Sequence, residues 1–145
     1  MTTMGKVSLD DLAASLGRHS KARSRCYTER MEEKVIPILR VQDASIAVAW
    51  YNRLGFRQTS VHRFEPGLPA FVTIERGPMK LFLSEHKGDA RPDTLLYLEV
   101  ADVYPIAKEF GVEVEEAPWG YEIEIRDPDA NRLRIGMPKA VSNRA

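Results

Sequence analysis

The chain has 145 residues, a formal net charge of zero and a hydrophobic fraction of 43%. A chain of this size can form one globular domain or two small modules with a shared sheet. Its longest apolar runs are far shorter than the roughly 20 residues of a membrane-spanning helix, and the N-terminus lacks the apolar stretch of a signal peptide. The single cysteine, Cys26, excludes an internal disulfide framework and a cysteine-based metal cluster. We therefore expect a cytoplasmic protein with no membrane partner.

Residues 1–33 differ in composition from the rest of the chain. Leu9, Leu12 and Leu16 recur at helical spacing, which predicts one short amphipathic helix. A basic arm follows at residues 19–25. The arm has no recognition motif and almost no aromatic residue for stacking, so we predict no nucleic-acid partner.

Regular patterning begins at residue 34. The run VIPILRV at residues 35–41 predicts a strand, and Pro37 within it favours a sheet edge, where no ladder donor is needed. Asp43 is a predicted N-cap for a helix that Gly55 ends. The apolar face of this helix is predicted to comprise Ile46, Ala47, Trp50, Tyr51 and Leu54. Strands are predicted next at 56–64, 70–75 and 79–85.

The same order of elements repeats after a polar linker at residues 86–93. A strand is predicted at 94–100, a helix at 102–110, a short strand at 112–116 and a hairpin at 121–135. Two βαβββ modules, at about 34–86 and 94–138, therefore cover a domain of residues 34–138. Residues 139–145 form a tail.

The hairpin at residues 121–135 has one apolar face. Ile123 and Ile125 share a face of its first strand, and Leu133 and Ile135 share a face of its second. The DPDAN run between the strands supplies the turn chemistry. Because a hairpin alone is only marginally stable, we expect other elements to cover this face.

Acidic residues are concentrated between residues 99 and 124. A field of this kind attracts cations and repels nucleic acid. A solvated acidic face kept for solubility explains the same pattern equally well. The stretch contains one basic residue, Lys108, and the carboxylates of Glu99, Asp102, Glu109, Glu113, Glu115, Glu116, Glu122 and Glu124.

Together these features resemble the vicinal oxygen chelate superfamily (glyoxalase, bleomycin resistance and dioxygenase proteins), and within it the bleomycin resistance proteins. The resemblance covers residues 35–136 and rests on the paired modules and on the strings VQD, WY, LGF, LFLSEH and IRDPD. It implies an α+β fold in which two βαβββ modules form a shared cup-shaped sheet. One departure is Ala130, where the family usually has Gly.

Enzymes of this superfamily hold a divalent metal with His and Glu side chains at four strand positions. The resemblance places these positions near Ile36 and at Phe82, Leu95 and Arg134. Apolar side chains offer no lone pair, and a guanidinium repels a cation. We therefore expect no metal, no cofactor and no catalytic residue.

Other candidates for chemistry are scattered in the sequence. His62 and His86, with Glu85 and Glu99 as possible co-ligands, are not grouped by any His-x-His spacing. Cys26 has no histidine nearby in the sequence, which favours an inert thiol.

Strand alternation predicts that aromatic and carboxylate side chains line the cup together. Aromatic rings stack on flat ligands and hold cations over their faces. Trp119 is the predicted stacking platform, and a cap on the core is the alternative for it. Glu115 and Glu116 point to opposite faces of their strand. The predicted ligand-binding residues are Phe71, Phe82, Tyr97, Glu99, Trp119, Glu122, Glu124 and Arg134. The same cup faces carry Thr73, Lys80, Ser84 and Leu95.

These features predict a metal-free protein that sequesters a flat, cationic, antibiotic-like molecule. In the family it resembles, the functional unit is a dimer with two grooves between subunits, and a Pro in the first strand accompanies exchange of that strand. The resemblance therefore implies a homodimer with strand exchange near Pro37. One alternative is a metal-dependent lyase or dioxygenase of the same superfamily. Another is a sensor or protein-interaction module in which the N-terminal helix contacts a partner.

Overall fold

The computed structural model describes residues 32–140, so the predicted N-terminal helix and basic arm lie outside the described residues. Two βαβββ modules are present, as predicted. The first comprises β1 (Ile38–Arg40), α1 (Ala44–Arg53), β2 (Arg57–His62), β3 (Phe71–Arg76) and β4 (Met79–Ser84). The second comprises β5 (Leu95–Glu99), α2 (Tyr104–Phe110), β6 (Glu115–Ala117), β7 (Gly120–Arg126) and β8 (Arg132–Pro138).

Each module forms a four-stranded sheet with the same topology. The strand orders are β1-β4-β3-β2 and β5-β8-β7-β6. The first strand of each module pairs in parallel with the fourth, and the other pairs are antiparallel. The predicted α+β class is confirmed, with the hydrogen-bonded ladders confined to the individual modules.

The edge strands β1 and β6 begin later than predicted. β1 begins after Pro37, whose carbonyl accepts a hydrogen bond from the Phe82 backbone N–H at 3.0 Å. The predicted edge position is confirmed, but Pro37 precedes the strand because a ring nitrogen has no ladder donor. β6 begins at Glu115, three residues later than predicted. Val112 instead donates its N–H to the Ala107 carbonyl, which closes the turn after α2.

Helix α1 is capped as predicted. The Asp43 carboxylate accepts hydrogen bonds from the Ser45 N–H and the Ser45 hydroxyl, at 2.9 and 2.7 Å. The hydroxyl bond is the main cause that lowers the pKa of Asp43. The predicted apolar face is wrong at Ile46, which is 58% exposed, because the buried stripe follows the three- and four-residue spacing of Ala44, Ala47 and Tyr51.

Helix α2 begins later than predicted, at Tyr104. The Asp102 carboxylate accepts the Tyr104 backbone N–H at 3.0 Å, so Asp102 acts from outside the helix as a side-chain acceptor. Gly111 ends the helix with a left-handed φ of 64°, a conformation that costs glycine little.

The core is one cluster of apolar side chains from both modules. The predicted apolar face of the hairpin is confirmed, since Ile123, Ile125, Leu133 and Ile135 are all buried. Among residues 32–140, no helix is long and apolar enough to cross a membrane.

The turn between β7 and β8 joins the two modules through a buried carboxylate. Asp127 accepts hydrogen bonds from the backbone N–H groups of Asp129 and Asn131, at 2.8 and 2.9 Å, and from the Asn131 amide at 2.9 Å. Its fourth donor is the hydroxyl of Tyr51 in α1, at 2.8 Å. One acidic side chain is thus shared by the turn of the second module and the helix of the first.

The same turn is bonded to the chain around β1. The Asn131 amide donates to the Arg40 carbonyl at 3.1 Å, and the Asp129 carboxylate accepts the Gln42 backbone N–H at 2.8 Å. Ala130 takes a left-handed φ of 63° within this turn. The departure from the usual Gly therefore leaves the turn in a glycine-like conformation, at a cost of roughly 1–2 kcal/mol for an L-residue.

Tyr51→Phe tests the bond between the modules. The substitution keeps the ring and removes one of the four donors to a buried carboxylate, so we expect the free energy of unfolding to fall by about 1–3 kcal/mol. Urea denaturation measures it. The matched control is Tyr104→Phe on the half-exposed α2 position, for which we expect a change within about 0.5 kcal/mol. Equal effects of the two substitutions would show that the Tyr51 hydroxyl contributes nothing.

Candidate functional site

A cavity of about 440 Å³ lies beside the second sheet. We call it the acidic cavity, because four carboxylates and one guanidinium face it. Its walls come from β7, β8, the start of β6 and the segment before β6. The lining residues are Val112, Glu113, Glu115, Glu122, Ile123, Glu124 and Arg134.

The guanidinium of the acidic cavity is compensated within the cavity. Arg134 lies 3.6 Å from the Glu124 carboxylate, and Arg132 donates to the same carboxylate oxygen at 2.9 Å. The Arg132 hydrogen bond lowers the pKa of Glu124, and the positive charges of Arg132 and Arg134 lower it further. Glu124 is therefore a charged partner for arginine on the sheet face.

Two other carboxylates of the cavity are not compensated in this way. Within the described part of the chain, neither Glu113 nor Glu115 forms a salt bridge with a basic side chain. The next residue, Glu116, lies outside the cavity and accepts a hydrogen bond from the Lys139 ammonium at 2.8 Å. The placement of Glu115 and Glu116 agrees with the predicted alternation of their strand.

Trp119 is exposed but held at two points. It lies in the turn between β6 and β7 and is 64% exposed, so it does not cap the core. Its carbonyl accepts the Lys139 backbone N–H at 3.2 Å, and its indole N–H donates to the Glu122 Oε1 atom. The ring face is available to solvent while the ring position is fixed.

Tyr97 of β5 reaches the same carboxylate. Its hydroxyl donates to the Glu122 Oε1 atom at 3.0 Å, and the residue is 50% exposed. Desolvation raises the pKa of Tyr97, and the hydrogen bond to Glu122 raises it further. Glu99 follows two residues later on the same face of β5, which places another carboxylate near the phenol.

The first sheet carries a separate aromatic pair. The rings of Phe71 and Phe82, on the neighbouring strands β3 and β4, have centroids 5.0 Å apart. Ser84, predicted on this face, is fully buried, and its hydroxyl donates to Asp89 in the following loop. Ser84 is therefore not free to contact a ligand, although it lies two residues after Phe82 on β4.

The structure thus groups the predicted site residues other than Glu99 into three sets. The Tyr97 hydroxyl and the Trp119 indole N–H both donate to one Glu122 oxygen atom. Glu124 and Arg134 form an ion pair, and Phe71 packs on Phe82.

The positions at which related enzymes bind metal carry no ligand set. Ile36 precedes β1, and the residue paired with Phe82 is Ile38. Leu95 is half-exposed, and Arg134 faces Glu124.

The remaining histidines and their possible co-ligands are also dispersed. His62 packs edge-on against Phe64, with ring centroids 4.6 Å apart. The Glu85 carboxylate accepts the backbone N–H groups of Ala44 and Ala70, at 2.8 and 2.7 Å, which is a structural role. Among residues 32–140, no three His, Cys, Asp or Glu side chains are grouped closely enough to hold a metal ion. Cys26 lies outside the described residues.

Sequence reasoning missed Glu113, Glu115 and Arg132 as components of this site. Glu113 precedes β6 in the structure, but its alternation with Val112 and Val114 was a usable signal, because it places Glu113 and Glu115 on one face of the predicted strand at 112–116. For Arg132, the alternation of Arg132 and Arg134 with buried Leu133 was a usable signal, because it places both arginines on the face of Glu124.

Comparison with known proteins gives one family match and many similar folds. The profile of the family described as "Glyoxalase superfamily protein" matches residues 20–141. No curated protein sequence matches the chain. The chain is 20% identical to a bleomycin-binding protein solved in complex with bleomycin, with a TM-score of 0.57 and coverage of 74% of this chain and 100% of that one.

Two further structures have the same fold. TnmS3, an antibiotic-binding protein from Streptomyces sp. CB03234, is 19% identical, with a TM-score of 0.60 and coverage of 75% of this chain and 98% of that one. A bleomycin resistance determinant encoded on transposon Tn5 is 21% identical, with a TM-score of 0.53 and coverage of 74% and 99%. At such identities, the likeness establishes the fold alone.

The pKa of Glu124 tests the charge arrangement at the cavity. We expect it to lie below the ordinary value for Glu, and Arg132→Gln should raise it by removing the hydrogen bond. Because the folded pKa is depressed, the stability contributed by this pair is present above the ordinary Glu pKa and is lost as pH falls through the folded value. Carboxylate NMR titration measures the shift. Arg126→Gln, a charge loss without a lost hydrogen bond to Glu124, should have a smaller effect; the opposite order would contradict the arrangement.

Proposed function

The chain belongs to the glyoxalase superfamily, and on that basis we propose that it is a metal-free protein that binds and sequesters a flat, cationic, antibiotic-like small molecule without transforming it. The observation that carries this proposal is the acidic cavity, whose lining residue Glu122 accepts a hydrogen bond from the exposed indole of Trp119. The charge of the cavity and the aromatic residues support the proposal separately.

The charge of the cavity favours a cationic ligand. Arg134 is offset by Glu124, whereas Glu113 and Glu115 form no salt bridge with a basic side chain among the described residues. A cleft with an excess of one sign of charge focuses the field and raises the local concentration of oppositely charged ligands. A cation entering the cavity therefore completes its charge pairing.

The aromatic residues favour a flat ligand. Trp119 offers an exposed ring face whose position is already fixed by two hydrogen bonds. A pre-positioned ring loses little conformational entropy on binding, and stacking or cation–π contact contributes about 0.5–2 kcal/mol. The cavity volume of about 440 Å³ falls within the usual range of small-molecule sites, roughly 300–1,000 Å³.

The similar structures support ligand binding as the function class, since they include a bleomycin-binding protein and an antibiotic-binding protein. The proposed site on the second sheet comprises Tyr97, Glu99, Trp119, Glu122, Glu124 and Arg134. Phe71 and Phe82 lie on the first sheet. We propose that they complete a groove in a homodimer, where the first sheet of one protomer faces the second sheet of its partner.

A homodimer is therefore expected, and light scattering of the full chain measures its mass. Edge strand β1 is three residues long and pairs with β4 of its own chain, so exchange near Pro37 requires the partner's strand to take the same register. A monomer at tens of micromolar would remove the inter-subunit groove from the proposal.

The alternative function is a metal-dependent lyase or dioxygenase, as in enzymes of the same superfamily. Elemental analysis of the purified protein separates the two functions. We expect no stoichiometric zinc, nickel, manganese or iron. One tightly held metal per chain, lost on substitution of His62 or His86, would favour the enzyme.

Adjacent glutamates separate a specific charge contribution from a general one. With metal-free bleomycin as the probe, we expect calorimetry to give a Kd well below millimolar. Glu115→Gln should weaken binding and flatten its salt dependence, because it removes a carboxylate of the cavity. Glu116→Gln makes the same charge change on the opposite face, where Glu116 pairs with Lys139, and should have little effect. Trp119→Ala should cost about 1–3 kcal/mol with the salt slope unchanged.

Two outcomes would count against this picture. Equal effects of Glu115→Gln and Glu116→Gln would mean that the cavity is not the binding site. Absence of binding heat with a folded protein would mean that the ligand class is wrong and that the acidic stretch is a solvated face.

A further inference from the structure

We propose that Glu122 is a positioning residue: one of its carboxylate oxygens fixes the Trp119 indole and the Tyr97 phenol as two aromatic walls of the ligand site, while other carboxylates of the acidic cavity offset the charge of the ligand. This inference rests on the proposed function and assigns a role within it. Its test includes a measurement on the ligand-free protein.

The geometry around a single oxygen atom is the starting observation. Glu122 Oε1 accepts the indole N–H of Trp119 and the hydroxyl of Tyr97, the latter at 3.0 Å. A carboxylate oxygen has two lone pairs. Both are used by aromatic donors, so this oxygen has little capacity left for a ligand cation.

Gly136 supplies an independent observation, because it makes room for the Tyr97 phenol. β8 lies between β5 and β7, and Gly136 is the residue of β8 paired with both Glu99 and Glu122. A Cβ atom at Gly136 would lie 1.9 Å from the Tyr97 hydroxyl oxygen and 3.4 Å from Glu122 Cγ. The Tyr97 phenol therefore lies over Gly136, where β8 has no side chain. This path across β8 brings the Tyr97 hydroxyl to Glu122.

The backbone around Trp119 is also fixed. A Cβ atom at Gly120 would lie 2.3 Å from the Met137 carbonyl oxygen, so the start of β7 packs directly on β8. The Trp119 carbonyl accepts the Lys139 N–H just beyond this contact. With the backbone fixed, the indole orientation depends on side-chain torsions, which the bond to Glu122 selects.

If Glu122 positions the two rings, its replacement by Gln has a different effect than if Glu122 offsets the charge of the ligand. The oxygen of Gln accepts the same two hydrogen bonds as a carboxylate oxygen, but it carries no charge. Glu122→Gln therefore keeps the aromatic walls, and Glu122→Ala loses them. Since the two variants have the same net charge, the difference between them isolates the positioning effect.

The ligand-free protein gives the first measurement. The ¹H–¹⁵N spectrum of the full chain should contain two indole N–H signals, one from each Trp, and the Trp119 signal is assigned by its loss in Trp119→Phe. We expect Glu122→Gln to leave this signal close to its wild-type position with slow exchange with water. Glu122→Ala should move it upfield and speed its exchange, because the hydrogen bond is lost. Equal spectra for the two variants would overturn the proposal.

Binding of metal-free bleomycin gives the second measurement. Glu122→Gln should weaken binding no more than Glu113→Gln, a matched charge loss in the cavity, whereas Glu122→Ala should bind about tenfold more weakly than Glu122→Gln. If Glu122→Gln loses as much affinity as Glu122→Ala and flattens the salt dependence, Glu122 is a counter-charge and the proposal fails.

Gly136→Ala tests the Tyr97 wall without altering any charge. We expect the added methyl to displace the hydroxyl, leave the Trp119 indole signal in place and weaken bleomycin binding several-fold, as Tyr97→Phe also should. Circular dichroism checks that both variants fold, and unchanged affinity in both would overturn the role of Tyr97. If bleomycin does not bind even the wild-type protein, the proposed function fails, whereas the indole signals still decide the role of Glu122.

Discussion

The buried carboxylate of Asp127 is the interaction on which the alignment of the two modules depends. It has four donors, three from its own turn and one from Tyr51 in the helix of the other module. A buried polar group left without its hydrogen-bond partner is costly, so the turn and helix α1 constrain each other, and the Asn131 bond to the Arg40 carbonyl ties the first strand to the same turn. A short, covalently continuous turn therefore sets where the two sheets meet.

Strands β7 and β8 contribute side chains to both the core and the candidate site. Leu133 and Ile135 are buried, while Arg132 and Arg134 face Glu124 on the other side of the sheet. Strand alternation thus places charged side chains on the face of the sheet opposite the apolar core. Glu115, Glu122 and Glu124 gain their spacing from the ladder, and no loop is needed to hold Glu124 in place.

Periodicity predicted most of the fold. The order of elements, the Asp43 cap, the apolar face of the hairpin and the family resemblance were all readable, because each depends on local spacing or on turn chemistry. The differences have local physical causes. Ile46 lies beside the buried stripe of its helix, and the loop after β4 covers Ser84.

The candidate site was less predictable, because its key contacts join residues far apart in sequence. Tyr97 and Glu122, for example, are separated by 25 positions. Alternation places Tyr97 and Glu122 on one face, but it does not show that they meet across Gly136. Alternation places Glu113 and Glu115 on one side of their segment, but it does not show that this side lines a cavity with β7 and β8. The roles of Phe71 and Phe82 in binding stay predictions.

The strict alternation of β7 and β8 also has an evolutionary consequence. Glu124, Arg126, Arg132 and Arg134 all project from the face opposite the buried isoleucines, and none is part of the core. Substitutions at such sites usually change stability by less than about 0.5 kcal/mol. Selection for a new ligand can therefore reverse the charge of this face through single mutations while the fold keeps its stability. Glu122 differs from these residues, because its substitution would release the Trp119 and Tyr97 rings that it positions.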